Sequence, residues 1–464
     1  MSTLKDMHER AVLLVPEQVL LPDGVQAGLG VRVEQGVITD VEPVGQFATQ
    51  NLPVISLPRR LLMPGFIDAH HHVTQTFGKS LVFGEPSEIF MRVWVPMEQY
   101  MDAEAIDVAT RLAAWESLRG GFTTVADAGT RATVGMEIVA DALTEVGVRC
   151  VLGAICNDLQ GGKAVMTKAQ VLDLAQHHLN RWNEHDLIHP SLAISIPEAA
   201  SDEVLVAVTQ LSREARVPFQ THLNEHLAAV ERSLVASGLR PLQRLGRLGA
   251  IGPELLAAHA TLLTPDEITL LRDSGAAVSY NPVASSWKGN AVAPALLLSE
   301  LGVRLGLGTD GTRSDAFRLL DAAETAQRLA MTMSVGDSSS GGGWRWLDMG
   351  LRGGADAVGL SGKVGEIAPG AYADMLVVKL DVPEFVPSWD LEWELVRLAN
   401  RDQIESVIVQ GRLRLDRGKP VDWDGEALME RARTVSEHIV ANAPIRRVDP
   451  FAGEHRAQWR LQRP

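Results

Sequence analysis

Four histidines and an aspartate stand out as residues able to do chemistry: His70, His72, His222, His259 and Asp310. His70 and His72 lie two apart in GFIDAHHHV. In extended chain, positions i and i+2 face the same side, so both imidazoles can reach one ion. His71, between them, is then expected to point away and serve a structural purpose. His222 ends the apolar run PFQTH, His259 ends LLAAH, and Asp310 ends VRLGLGTD. A lone histidine at a strand end is usually a hydrogen-bonded structural group. The joint placement of five such donors on four strand ends is the informative signal. Imidazole and carboxylate suit zinc or another borderline divalent ion. Such an ion makes a nucleophile of water at neutral pH.

These side chains need a frame that brings strand ends together. From residue 63, short apolar runs alternate with long amphipathic stretches, the pattern of a parallel sheet with crossover helices. The candidate strands are 65–70, 122–127, 148–153, 191–196, 218–222, 255–259, 276–281 and 303–310. Between them, Asp102 is placed to cap a helix that stops at Gly120 and Gly121, and Thr264, Pro265 and Glu267 fit a capping box. Eight β-then-α units over about 300 residues match a barrel whose active site lies at the carboxyl ends of its strands. Residues 11–62, and the chain after about 363, read instead as short strands broken by Pro, Gly and Asp. The expected fold class is therefore α/β. A (β/α)8 TIM-type barrel spans 63–363, and 1–62 joins 364–464 in a small composite β-sandwich with a helix near 425–442. The segment 336–344, GDSSSGGGW, reads as a mobile loop.

Composition narrows the function classes. The 464 residues carry 43 Lys and Arg against 58 Asp and Glu, a net charge of −15. That disfavours nucleic acid and an anionic membrane surface as partners. Cys150 and Cys156 cannot build a disulfide framework, and no apolar run reaches membrane-spanning length. A cytoplasmic protein is expected.

PGFIDAHHH, THLNEH, AHATLL, LGTDGTRSD and the returning GEIAPGAYADMLVV resemble the signature segments of the amidohydrolase superfamily. The resemblance is to the branch of triazine hydrolases, chlorohydrolases and cytosine-deaminase-like enzymes. By that resemblance His70, His72, His222 and Asp310 bind one divalent metal, zinc first and iron second. His259 hydrogen-bonds the attacking water or the oxygen of the tetrahedral adduct, and Asp310 takes the water's proton. Glu225, in the HxxE segment, is the proton shuttle; its plain reading is an acid at a helix start. Two-metal relatives use a bridging lysine or glutamate. SLAISIPEAASD and AICNDLQ offer no lysine, so one metal is expected, with Glu198 the carboxylate able to change that count.

The implied activity is deamination of an N-heterocycle of the aminopyrimidine, aminopurine, pterin or s-triazine type, releasing ammonia. Loss of chloride or alkylamine from a triazine, or opening of a cyclic amide, is the alternative on the same scaffold. A metal-free structural protein is the remote one. Gln75, Trp94, Asn281, Ser286 and Trp287 are candidate substrate contacts. The segment 80–100 is a lid, a pocket wall or a subunit contact. Three positions depart from the branch pattern: Lys79 for Arg, Tyr280 for His, and Asp315–Ala316 for an Asn pair. By analogy, a homodimer or higher homo-oligomer is expected.

Overall fold

Runs such as FIDAHH and FTTVAD are buried along their whole length. Strands covered on both faces need apolar or internally bonded residues at every position, not alternation. The computed structural model describes residues 4–8, 10–85, 89–448 and 452–461. Its central sheet has eight strands: β1 (Phe66–His71), β2 (Phe122–Asp127), β3 (Arg149–Ile155), β4 (Ile188–Ala193), β5 (Phe219–Leu223), β6 (Leu255–His259), β7 (Ala277–Tyr280) and β8 (Arg304–Leu307). Neighbours in sequence pair in parallel. Beyond β8 the chain bends back to β1, where the Asp310 amide donates to the His70 carbonyl at 2.8 Å. The result is a nearly closed TIM-type barrel in the α/β class.

Two strands differ from expectation for local reasons. β4 begins at Ile188, not 191, because Pro190 is tolerated there. It faces Leu152 of β3, while pairing with β5 starts only at Leu192, so the missing N–H costs no ladder bond on that side. β8 ends at Leu307, not 310, because Asp310 has φ 56° and Gly311 φ 65°. The helices follow their caps. Asp102 accepts from Ala105 N–H ahead of the helix Ala103–Arg119, and Thr264 and Glu267 form the capping box of Pro265–Ser274.

The second sheet draws on both ends of the chain. Val54–Pro64 pairs antiparallel with Met375–Lys379, with Met63 opposite Leu376, and parallel with Val12–Leu21. Among the described residues this sheet has nine strands. It curls on itself, since Ile38 exchanges backbone bonds with Gly370 and Ala371. The expected sandwich is thus one rolled sheet enclosing Leu14, Val31, Val33, Leu62, Met375 and Ile408. Residues 336–344, expected to be mobile, are tied down. Arg328 donates to Ser338 O at 2.8 Å and to Ser340 Oγ at 3.0 Å. The helix Gly425–Asn442 packs on Ala103–Arg119. No helix among the described residues is long and apolar enough to cross a membrane.

Candidate active site

The strand ends bring the five sequence-chosen donors together at one end of the barrel. His70 Nε2 and His72 Nε2 each lie 3.3 Å from Asp310 Oδ1. His222 Nε2 lies 3.3 Å from His72 Nε2. His71 turns the other way, with its Nε2 3.2 Å from Ser314 Oγ, as the alternation of β1 requires. Burial, helped by His72 and His70, pushes His71 down to about 3, so this ring is neutral.

Strain and close packing hold the cluster. His259 and Asp310 have φ 73° and 56°, a region that non-glycine residues enter at a cost of about 1–3 kcal/mol. Asp68, buried on β1, fixes the Asp310 turn by accepting from Thr309 N–H at 2.9 Å and from the Thr309 hydroxyl at 2.5 Å. Gly308 is required by space, since a Cβ there would stand 2.3 Å from Asn281 Oδ1 and 2.5 Å from Ser279 Oγ.

Hydrogen bonds decide where the ring protons sit. His222 Nδ1 donates to Ser195 O at 2.7 Å, leaving Nε2 with its lone pair toward the cluster. His259 is reversed. The Asn281 amide, whose oxygen takes the Ser279 hydroxyl, donates to His259 Nδ1 at 3.3 Å, so His259 Nε2 carries the hydrogen. That Nε2 points between Glu225 Oε1 at 3.8 Å and Asp310 Oδ2 at 4.0 Å. Burial, foremost, lowers His72 and His222, and it pushes His259 down to about 4. These three rings are therefore neutral at pH 7. Burial alone would raise Asp310, but Lys288, His70 and His72 hold it well below the usual carboxylate range.

A cation fits this donor set. The Nε2 atom of His70 is buried without a hydrogen-bond partner. The donor atoms of His70, His222, His259 and Asp310 lie within 4.8 Å of one another. That grouping takes in His259 where the sequence pointed to His72. His72 stands at the edge of that grouping, its Nε2 3.3 Å from Asp310 Oδ1 and 3.3 Å from His222 Nε2.

Beside the cluster opens a cavity of about 880 Å³. Glu225 enters it from the loop after β5, its carbonyl held by the Thr261 hydroxyl at 2.5 Å. His226, next along, caps the helix Leu227–Ser237. Gln75, Trp94 and Trp287 line the cavity. Asn281 stands behind His259 instead, and Ser286 donates to Pro282 O within its own short helix. Glu198 lies 3.9 Å from Arg232 at the cavity wall and is not part of the His/Asp cluster. Glu85, Ile89, Phe90, Met91, Trp94 and Val95 make the segment 80–100 a wall of the cavity; residues 86–88 of it lie outside the described residues.

The three departures all fall away from the cavity. Lys79 pairs with Glu116, Tyr280 is a core residue bonded to Gln327, and Asp315 caps the helix Ala316–Val335. Sequence reasoning missed Lys288. Its Nζ bridges Asp310 Oδ2 at 2.6 Å and Glu225 Oε1 at 2.9 Å. It also missed Asn290, which donates to Glu225 Oε1 at 3.3 Å, and Arg131, which binds Glu98 at 3.0 Å beside the cavity. The loop NPVASSWKGN, which carries Lys288 and Asn290, has no periodic pattern to flag them.

Known proteins share this arrangement of strands. A 5-methylthioadenosine/S-adenosylhomocysteine deaminase of Syntrophobacter fumaroxidans is 28% identical over 435 residues, 92% of this chain and 98% of its own. An 8-oxoguanine deaminase of Pseudomonas aeruginosa is 28% identical over 449 residues, 92% and 98%. The crystal structure of an adenosine deaminase from Xanthomonas campestris with bound zinc superposes with a TM-score of 0.85 at 27% identity, over 93% of this chain and 98% of the other. The sequence profile of the amidohydrolase family matches residues 61–414, and the chain belongs to that family.

Proposed function

We propose that this chain is a metal-dependent aminohydrolase that adds water to the amino-bearing carbon of an N-heterocycle and releases ammonia. One observation carries the reading: buried imidazole and carboxylate donors converge on a point beside Glu225, at the floor of a cavity able to take a purine or a nucleoside. In this reading residues 63–363 are the catalytic barrel, and 1–62 with 364–464 support it.

His70, His72, His222 and Asp310 hold a single divalent ion. Zinc suits neutral imidazoles with one carboxylate, and iron accepts the same set. When bound, the ion supplies the Lewis acidity that makes water a nucleophile near pH 7. Asp310 takes the proton of the attacking water at Oδ2. His259 donates its Nε2 hydrogen to the oxygen that adds to the ring. Glu225, an ionised carboxylate beside Lys288, takes up the other proton of that water and passes it to the ring nitrogen next to the reacting carbon, so negative charge does not accumulate there. The carbon–nitrogen bond then breaks, and the amino group leaves as ammonia with the proton that Asp310 had taken. Each acid–base step of this kind is worth roughly 10²–10⁴-fold. His222 is held in the ligating tautomer by Ser195 O.

Ammonia release from aminopurines, their nucleosides, aminopyrimidines, pterins and triazines tests the proposal on zinc-loaded, chelator-stripped and reloaded protein. Turnover that disappears with the metal and returns with it is expected. Chloride or alkylamine release from substituted triazines without ammonia from any other substrate would move the reaction to that branch. A fully loaded protein that releases none of these overturns it.

A further inference from the structure

We propose that Asn290 is a positioning residue for the proton carrier Glu225. With Lys288 it grips one carboxylate oxygen, Oε1, and leaves Oε2 as the oxygen on which the proton travels. This rests on the aminohydrolase reading and deepens it.

The grip begins with a glycine. Gly289 follows the short helix Pro282–Lys288 in the left-handed region, at φ 69°. The Gly289 N–H bonds to Ser286 O at 3.3 Å, and the Asn290 N–H bonds to Ser285 O at 2.9 Å. This is the paired bonding of a helix that ends on a left-handed glycine, and it fixes the residues on either side of that glycine. Here they are Lys288 and Asn290, and both side chains return to one atom. Lys288 Nζ donates to Glu225 Oε1 at 2.9 Å, and Asn290 Nδ2 donates to the same oxygen at 3.3 Å. The backbone beneath is held as well, since the Thr261 hydroxyl lies 2.9 Å from Asn224 O and 2.5 Å from Glu225 O.

The two carboxylate oxygens are therefore unlike. No described residue bonds to Oε2, and that oxygen is not sealed off: the Glu225 side chain is 14% exposed and lines the cavity. A proton on Oε1 would set a hydroxyl against two N–H donors and leave an ammonium and an amide without their acceptor. A proton on Oε2 strands nothing. The O–H bond accordingly forms on Oε2, breaks as the N–H bond forms on the ring, and returns the carboxylate unchanged. A loose glutamate would exchange its oxygens by turning about its last torsion, which is broad. Gripping Oε1 removes that freedom before the heterocycle enters, and a misplacement of about 1 Å in such a group costs on the order of 10²-fold. Lys288 divides its ammonium between Glu225 and Asp310, which is closer at 2.6 Å. The Asn290 side chain, among the described residues, bonds to Glu225 alone, so it reports on the grip without disturbing Asp310.

Asn290→Ala and Asn290→Asp test this in zinc-loaded protein, with a heterocycle found to release ammonia. Both changes keep the backbone N–H that ends the helix. Alanine should lower kcat by about 10–100-fold, with KM within about twofold of wild type. Zinc content, measured by elemental analysis, should stay at the wild-type level. Aspartate has the shape of asparagine but sets an ionised oxygen against Oε1 where the N–H stood, so Asn290→Asp should be slower than Asn290→Ala. A kcat in Asn290→Asp equal to or above that of Asn290→Ala shows that the side chain only fills space, and overturns the proposal. So does an Asn290→Ala protein with wild-type kcat, or one whose loss lies in KM or in zinc content. Crystal structures of the wild type and Asn290→Asp decide independently of turnover. Oε1 should lie within hydrogen-bond distance of residue 290 in the first and turn away from it in the second. Should no heterocycle release ammonia, the aminohydrolase reading fails, whereas a Glu225 carboxylate in the same place in both structures refutes the grip itself.

Discussion

Asp310 is asked to do several things at once. Its Oδ1 meets His70 and His72, its Oδ2 meets Lys288, and its backbone sits in the left-handed region at the end of β8. Asparagine fits the same space and tolerates that backbone, but cannot take a proton from water. Asp310→Asn should therefore keep its circular dichroism spectrum while losing at least about 10³-fold in turnover. Wild-type-like rates would remove Asp310 from the chemistry. Asn281 acts at one remove. Its amide fixes the hydrogen of His259 on Nε2, facing the cavity, and Asn281→Leu frees the ring to take the other tautomer. Loss of such a support typically costs about 10–100-fold. A fall of that size in kcat, with KM and metal content unchanged, is expected. An unaltered kcat would show that His259 needs no such orientation.

At the scale of elements, the wall of the cavity depends on the far end of the chain. Leu81, Val82, Ile89 and Val93 pack with Trp94, Trp287, Val440 and Ile445, so residues distant in sequence share one apolar patch over the site. Arg446 and Arg92 exchange backbone and side-chain bonds, and Arg447 Nε donates to Leu81 O at 2.7 Å. Arg447→Ala should loosen 81–85 and 89–95 without touching the reacting groups. We expect faster hydrogen exchange in those residues and a KM raised severalfold, with kcat within about twofold of wild type; unchanged exchange would mean that the apolar patch suffices. The sequence made the strands and their terminal donors legible, because a His or Asp closing an apolar run breaks an otherwise uniform pattern. It offered a wall at 80–100 but not the support that the far end of the chain gives it, because contacts between residues about 80–95 and 440–448 leave no local periodicity. Pro190 hid the start of β4 for a similar reason: its tolerance depends on which neighbouring strand pairs there. Asn281 and Ser286 shared a loop with Lys288, and spacing alone could not say which of them faces the cavity.

The molecule as a whole is tied together at the end of the barrel opposite the site. Arg149, at the start of β3, donates to both oxygens of Asp374, at 2.8 and 3.3 Å, and stacks over Tyr372 at 4.2 Å; both residues come from the stretch leading into the rolled sheet. Arg149 is fully buried and Asp374 nearly so. Removing one partner of such a pair strands the other charge, at a cost of about 3–5 kcal/mol. Asp374→Asn should lower the denaturation midpoint accordingly, and a shift below about 1 kcal/mol would mean that water reaches the guanidinium. The same guanidinium also donates to His189 Nε2 at 3.3 Å, which requires a lone pair there. Burial, and then the Arg149 charge, push His189 down to about 4. In the unfolded chain the ring titrates near 6.5. Between these values the unfolded chain binds a proton that the native protein refuses. Stability contributed by the neutral ring is therefore complete above about pH 6.5, declines as pH falls toward 4, and changes no further below it. Allowing for the partial exposure of His189, the loss is on the order of 2 kcal/mol. His189→Gln cannot titrate, so its denaturation free energy should gain on the wild type by that amount between pH 7 and pH 4. Parallel curves over that interval would show that the ring accepts its proton in the native state as readily as in the unfolded chain.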